Sequence, residues 1–138
     1  MESTYQHTID AKGRLFIPVR LREELGSVFY VTLSLEKCLS VYSRDSWDKF
    51  KEKYMQMSQV NQKLMRPLFA MAAKCEPDGQ GRIILSQSLR EYAGLNKNVA
   101  IVGVGVRVEL WDSDLYADVA AEEMKPENIA AVFEKLEF

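Results

Sequence analysis

The chain has 138 residues, 47% hydrophobic and 28% charged, the size and composition of one domain able to bury its own core. No apolar run approaches membrane-spanning length, and Met1-Glu2-Ser3-Thr4 has neither the basic nor the apolar stretch of a secretion signal, so a soluble, cytoplasmic protein is expected, with no membrane partner. A net charge of −2 argues against a polyanionic partner unless the basic residues are concentrated on one surface.

Tyr5 to Ile9 reads as a short strand. Asp10-Ala11-Lys12-Gly13 follows as a turn, because aspartate can bond backbone N–H groups two residues on and glycine supplies a left-handed conformation cheaply. Leu15-Phe16-Ile17 resumes an apolar strand. Pro18 and Gly26 bracket a short helix over Val19 to Leu25, with Leu21 and Leu25 on one face. Val28 to Leu33 and Leu39 to Tyr42 are two strands joined through Glu36-Lys37. Trp47, Phe50, Tyr54 and Met57 form the apolar stripe of the next helix, and Val60 to Ala70 is helical, with Pro67 leaving its end open. Ala73 to Glu76 and Ile83-Ile84-Leu85 then flank a second turn. A second short helix ends at Gly94 and is opened by Ser86 or by a Ser88…Glu91 capping box. Val99 to Val102 and Val108 to Trp111 are the last strands, Ser113 or Asp114 is the expected cap of the helix that follows, and Ile129, Val132, Phe133 and Leu136 mark a final apolar helix stripe.

The order repeats because the residues do. Asp10-Ala11-Lys12-Gly13-Arg14-Leu15 returns 68 positions later as Asp78-Gly79-Gln80-Gly81-Arg82-Ile83, and Leu21/Leu89, Arg22/Arg90, Glu23/Glu91 and Gly26/Gly94 keep that offset. Two copies of one supersecondary unit, each too small to cover its own sheet, can complete a shared core. The expected fold is α+β with a pseudo-symmetric, double barrel-like core and flanking helices. Residues 1–58 form the first unit with its following helix, 59–71 a helical connection, and 72–138 the second unit with the C-terminal helices.

The charges are polarised along this frame. Ser113 to Phe138 holds seven acids against Lys125 and Lys135, a balance of −5, which leaves +3 for residues 1–112. Asp10 to Arg22 alone carries +3, through Lys12, Arg14, Arg20 and Arg22 against one acid. An arginine opening a strand beside glycine is placed to point outward, and its forked donors match phosphate oxygens or the O6/N7 edge of guanine. Arg14 and Arg82 are therefore the candidate base-reading residues. Lys12, Arg20 and Arg22 are candidate phosphate contacts, sequence-blind and salt-sensitive. Asp10 and Asp78 can equally serve to fix the turns, with Gly13 and Gly81. The second copy is poorer in charge, since Gln80 replaces Lys12 and Ser88 replaces Arg20.

Other chemistries find little footing. Gly79-Gln80-Gly81 lacks the lysine and long helix of a phosphate-binding loop. His7 with Cys38 or Cys75 could form a nucleophile pair, but no orienting third group can be named, and both cysteines read as reduced packing residues. Asp112, Asp114 and Asp118 lack the spacing of a calcium loop. Neither catalytic residues nor a metal or cofactor is expected.

These residues resemble the MraZ family, within the wider AbrB/SpoVT group of swapped-hairpin DNA-binding proteins. The resemblance spans nearly the whole chain: two Asp-x-x-x-Arg motifs, Lys12-Gly13-Arg14-Leu15-x-Ile17-Pro18, Asp78-Gly79-Gln80-Gly81-Arg82-Ile83, and Leu89-Arg90-Glu91-Tyr92-Ala93-Gly94-Leu95. It implies two AbrB/SpoVT-like hairpin units and a nucleoid-associated bacterial transcriptional regulator of the division and cell-wall gene cluster. Such a protein would bind short, G-rich direct repeats of double-stranded DNA in its own promoter as a ring-shaped homo-oligomer. The family's signature falls on Asp10/Arg14 and Asp78/Arg82; Ser86 stands where the family usually has proline, and Gln80 where it has lysine. Because related hairpin folds serve as antitoxins, a protein-interaction module is the second reading, with the acidic tail or the Ile129/Phe133/Leu136 stripe as its clasp.

Overall fold

The structure is a computed structural model and describes residues 1–137. Its first half runs β1 (Thr4–Thr8), β2 (Arg14–Phe16), α1 (Val19–Leu25), β3 (Phe29–Leu33), β4 (Leu39–Ser43) and α2 (Arg44–Met55). Two short helices follow, α3 (Gln59–Leu64) and α4 (Arg66–Ala70). The second half repeats the first as β5 (Ala73–Cys75), β6 (Arg82–Ile84), α5 (Gln87–Ala93), β7 (Asn98–Gly103), β8 (Val108–Asp112) and α6 (Ser113–Glu123), and ends with α7 (Pro126–Lys135).

Six strands form one antiparallel sheet in the order β1-β7-β8-β4-β3-β5, and β2 pairs with β6 in a separate two-stranded ribbon. Exchanging each strand with its repeat partner reads the large sheet backwards and maps the ribbon onto itself, which is a two-fold relation. The halves are interleaved. β1 of the first half lies on β7 of the second, with Gln6 opposite Ala100, and β5 of the second lies on β3 of the first, with Lys74 opposite Tyr30. β4 and β8 meet at the centre, Leu39 opposite Leu110.

This exchange gives the two halves one core. Leu15, Ile17, Leu21 and Leu25 from the first half and Ile83, Leu85, Leu89 and Ala93 from the second are all buried in one cluster with Phe29, Val31, Val41, Val99, Ile101 and Leu110. Each buried Leu, Ile, Val or Phe among them contributes about 1.5–3 kcal/mol by leaving water. On the other face of the sheet, Trp111, Ala100, Val102 and Cys38 pack with Leu115, Tyr116 and Val119 of α6. Trp47 of α2, also buried, stacks on Tyr30 with ring centroids 5.2 Å apart.

The short helices begin and end where their residues dictate. α1 follows Pro18 and stops at Gly26 (φ 85°). The opener of α5 is Ser86, whose hydroxyl accepts from the Leu89 N–H at 3.3 Å, and not the Ser88…Glu91 box; Gly94 ends the helix in a left-handed conformation. The connecting helix divides into α3 and α4, with Pro67 in the first turn of α4, where its missing N–H costs nothing. The cap of α6 is Asp112, accepting from the Leu115 N–H at 3.0 Å, instead of Ser113 or Asp114. The reason is local: β8 runs extended through Asp112, so the strand's last residue is also the helix cap, and Ser113 is already helical. Met57 lies beyond the end of α2. Among the described residues no helix is long and apolar enough to cross a membrane.

Candidate nucleic-acid interface

The two repeated turns share one hydrogen-bond pattern. Asp10 Oδ1 accepts from the backbone N–H groups of Lys12 (3.0 Å) and Arg14 (2.9 Å), while Oδ2 accepts from Arg14 Nε at 2.6 Å. Asp78 does the same with Gln80 (2.9 Å), Arg82 (2.9 Å) and Arg82 Nε (3.0 Å). Gly13 (φ 82°) and Gly81 (φ 78°) complete the turns, each donating its N–H to the carbonyl of its aspartate. The aspartates thus fix the loop, and the arginines are held by the residues that fix it.

The Arg14 and Arg82 backbone N–H groups are the main cause that holds the Asp10 and Asp78 carboxyls below their ordinary value of 3.8. A carboxyl depressed in the folded state stabilises the turn above its unfolded pKa, and that contribution is lost as pH falls through the depressed value. Side-chain carboxyl NMR titration should therefore give midpoints below 3.8 for both aspartates, with turn amide shifts moving in the same acid window. Midpoints at or above 3.8 would show that the turn bonds do not persist in solution.

β2 and β6 pair antiparallel, with Arg14 opposite Ile84, Leu15 opposite Ile83 and Phe16 opposite Arg82. The period of two sends Leu15 and Ile83 into the core and leaves Arg14, Phe16, Arg82 and Ile84 on the outward face. The two arginines are diagonal neighbours on that face, with Cα atoms about 7–8 Å apart. Their side chains are 33% and 30% exposed, and each meets its aspartate through Nε. Among the described residues, neither arginine makes a hydrogen bond through its terminal Nη groups. The Leu85 N–H to Gly13 carbonyl bond (2.8 Å) and the Ile17 N–H to Gly81 carbonyl bond (3.0 Å) extend the ribbon at both ends.

A second pair of arginines braces the turns. Arg22 of α1 donates through Nε to the Ile17 carbonyl at 2.7 Å and lies against Gly81, where an added Cβ would come within 2.7 Å of its Cζ. Arg90 of α5 donates to the Leu85 carbonyl at 3.2 Å and lies against Gly13, where a Cβ would stand 3.2 Å from Nε and 2.5 Å from the Leu85 oxygen. Each half's helix therefore supports the turn of the other half. The sequence signal for Arg90 is its identity with Arg22 at the repeat offset, in a second copy otherwise poorer in charge.

The remaining candidates are dispersed. Lys12 is exposed on the first turn, and Gln80 occupies its place on the second. Arg22 lies against the ribbon with its Cζ 5.5 Å from the centre of the Phe16 ring. Arg20 is exposed on α1 but lines a surface depression with Glu2, Glu23 and Glu24. So the fold brings Lys12, Arg14, Arg22 and Arg82 to the ribbon region and sets Arg20 among carboxylates. His7 packs edge-on against Phe16, with centroids 5.0 Å apart. Cys38 and Cys75 are buried, and burial pushes both thiols up to about 11. Among the described residues, no three His, Cys, Asp or Glu side chains are grouped to hold a metal ion.

Comparison with known proteins matches this two-part plan. The family model described as "MraZ protein, putative antitoxin-like" matches residues 1–65 and again 68–135. The chain is similar to "Transcriptional regulator MraZ" of Carboxydothermus hydrogenoformans, 51% identical over 115 residues covering 81% of this chain and 80% of the relative. It is 44% identical to the protein of the same name from Acetivibrio thermocellus over 130 residues, 91% of each chain, and 41% identical to that of Caldicellulosiruptor saccharolyticus over 136 residues, 96% of this chain and 95% of the relative. Matched once in each half and by relatives across nearly its whole length, the chain belongs to the MraZ family.

Proposed function

We propose that this protein is a sequence-specific DNA-binding transcriptional regulator, and that its β2–β6 ribbon enters the major groove of double-stranded DNA. The observation that carries the reading is the placement of Arg14 and Arg82 as diagonal neighbours on one outward ribbon face, their Nη groups unengaged among the described residues. A two-stranded ribbon fits the major groove, and a guanidinium there can bond guanine O6 and N7 together. Lys12 contacts a phosphate and Arg22 adds to the positive field from its bracing position, while Arg20, set among Glu2, Glu23 and Glu24, adds little. The halves, residues 1–58 and 72–138 joined by 59–71, are AbrB/SpoVT-like hairpin units sharing a double barrel-like core. The names of its relatives support a role in transcription.

One protomer with so few cations binds weakly. A ring of identical protomers on spaced direct repeats gains affinity because each later contact is intramolecular. Exposed apolar residues support such an assembly, among them Met55, Val60 and Leu64 near one end of the helical connection, Ile129 and Val132 on α7, and Leu136 just past its end. The DNA expected is the promoter of the division and cell-wall gene cluster in the nucleoid, with no enzymatic activity. The α7 stripe and the family description favour one other reading, an antitoxin-like module that clasps a partner protein.

The test is a salt-dependent binding titration on DNA from upstream of this protein's own gene, paired with a mass measurement of the assembly. Specific binding by an oligomer is expected. An assembly neutralising about six phosphates should lose roughly a thousandfold in affinity between about 50 and 200 mM salt. Binding that ignores both sequence and salt, or a protein indifferent to this DNA that captures a defined partner, would overturn the reading.

A further inference from the structure

Ile84 is out of place on a surface strand. It is 67% exposed, on the ribbon's outward face and directly opposite Arg14. Its partner by the repeat offset is Phe16, which stands opposite Arg82 and is half-buried between the His7 ring and the Arg22 guanidinium. The two-fold relation of the ribbon therefore holds for its arginines and fails for its apolar residues. Beside Arg82 the apolar group is already covered by the protein's own side chains; beside Arg14 it is presented to whatever the ribbon meets.

We propose that Ile84 is a specificity-determining residue whose side chain takes the C5-methyl group of a pyrimidine on the base pair next to the one held by Arg14. The inference rests on the ribbon entering the major groove. There the only apolar feature that distinguishes base pairs is the thymine methyl, and apolar side chains are its usual partners. Residues directly opposite on a ribbon have Cβ atoms about 4.5–5.5 Å apart, comparable with the roughly 3.4 Å rise between base pairs, so opposite side chains reach neighbouring steps. A branched aliphatic group beside a forked cation thus reads two adjacent pairs, one by hydrogen bonds and one by a methyl contact. The covered Phe16 gives the Arg82 side no such reader, so recognition is polar along the ribbon.

Every base pair carries one pyrimidine, so the test can scan a whole repeat. The full-length protein is titrated against its upstream DNA with single dT→dU replacements, which remove a methyl, and single dC→5-methyl-dC replacements, which add one. Wild type, Ile84→Ala and Ile84→Val are compared, with thermal melts to verify folding. One base pair per repeat should be methyl-sensitive in wild type, changing affinity about fourfold, the value of burying one methyl-sized group. Ile84→Val should retain that sensitivity and Ile84→Ala should lose it, with all three melting alike. Normal binding with no methyl-sensitive position, or sensitivity that survives in Ile84→Ala, overturns the role of Ile84 alone. Failure of wild type to bind the unmodified DNA overturns the DNA reading itself, and this inference with it.

Discussion

Arg14→Ala should lower affinity for the upstream DNA by a hundredfold or more while leaving the melting temperature close to that of wild type. The loss is large because a bidentate contact to guanine is worth about 1–3 kcal/mol, and an oligomer on several repeats loses that contact in each one. The fold survives because Arg14 is a ribbon residue on the wet face, and an exposed ion pair adds little to stability. Asp10 keeps its bonds to the Lys12 and Arg14 backbone N–H groups, which any residue at position 14 except proline supplies. Arg82→Ala should be milder. Its turn carries Gln80 where the first carries Lys12, and its ribbon neighbour Phe16 is covered where Ile84 is bare. Fluorescence anisotropy on the same DNA, with a thermal melt of each variant, reads both effects. Wild-type affinity in Arg14→Ala would refute the assignment, and equal losses at the two positions would refute the asymmetry.

Gly13→Ala should cost more stability than Gly26→Ala, although both glycines have a positive φ. At Gly26 (φ 85°, ψ −174°) no described atom lies within 4 Å of an added Cβ, so only backbone strain remains, about 1–3 kcal/mol. At Gly13 (φ 82°) backbone strain is joined by a collision: the Cβ would stand 2.5 Å from the Leu85 carbonyl oxygen and press on Arg90. Backbone cannot swing aside as a side chain can, so the ribbon must open, and the Leu85 N–H to Gly13 carbonyl bond goes with it. Overpacking of this kind adds about 1–3 kcal/mol on top of the backbone strain. Because Arg14 is the next residue, DNA affinity should fall in Gly13→Ala and hold in Gly26→Ala. Urea denaturation of the two variants checks the first claim, and equal destabilisation would mean that the cross-braced geometry is absent in solution.

Much of the local structure was legible in the residues. Pro18, Leu21, Leu25 and Gly26 mark α1 with its observed bounds, and the Asp-x-x-Gly turns appear where aspartate and glycine recur. These features depend on contacts a few residues apart. The exchange of β1 and β5 between halves was not legible, because strand pairing across 42 to 98 residues depends on which edges remain open once the core has closed. The same blindness hid the brace of Arg22 on Gly81 and of Arg90 on Gly13. From sequence, Arg22 is one more cation near Arg14; in the fold its Nε is committed to the Ile17 carbonyl. Asp112 as the cap of α6 escaped for a smaller reason: three candidate capping residues stand in a row with Ser113 and Asp114, and only the end of β8 chooses between them. The candidate site was legible as a motif, while its ribbon, and the bare isoleucine on it, required the register.

The central claim, that guanidinium groups of the β2–β6 ribbon meet guanine edges in the major groove, is tested most directly by N7-methylation interference on the upstream DNA. Methylating particular guanines once per repeat should block wild-type binding, and the residual binding of Arg14→Ala should be indifferent to those same methyl groups. A wild-type complex that forms equally well on DNA methylated at every guanine N7 would contradict it.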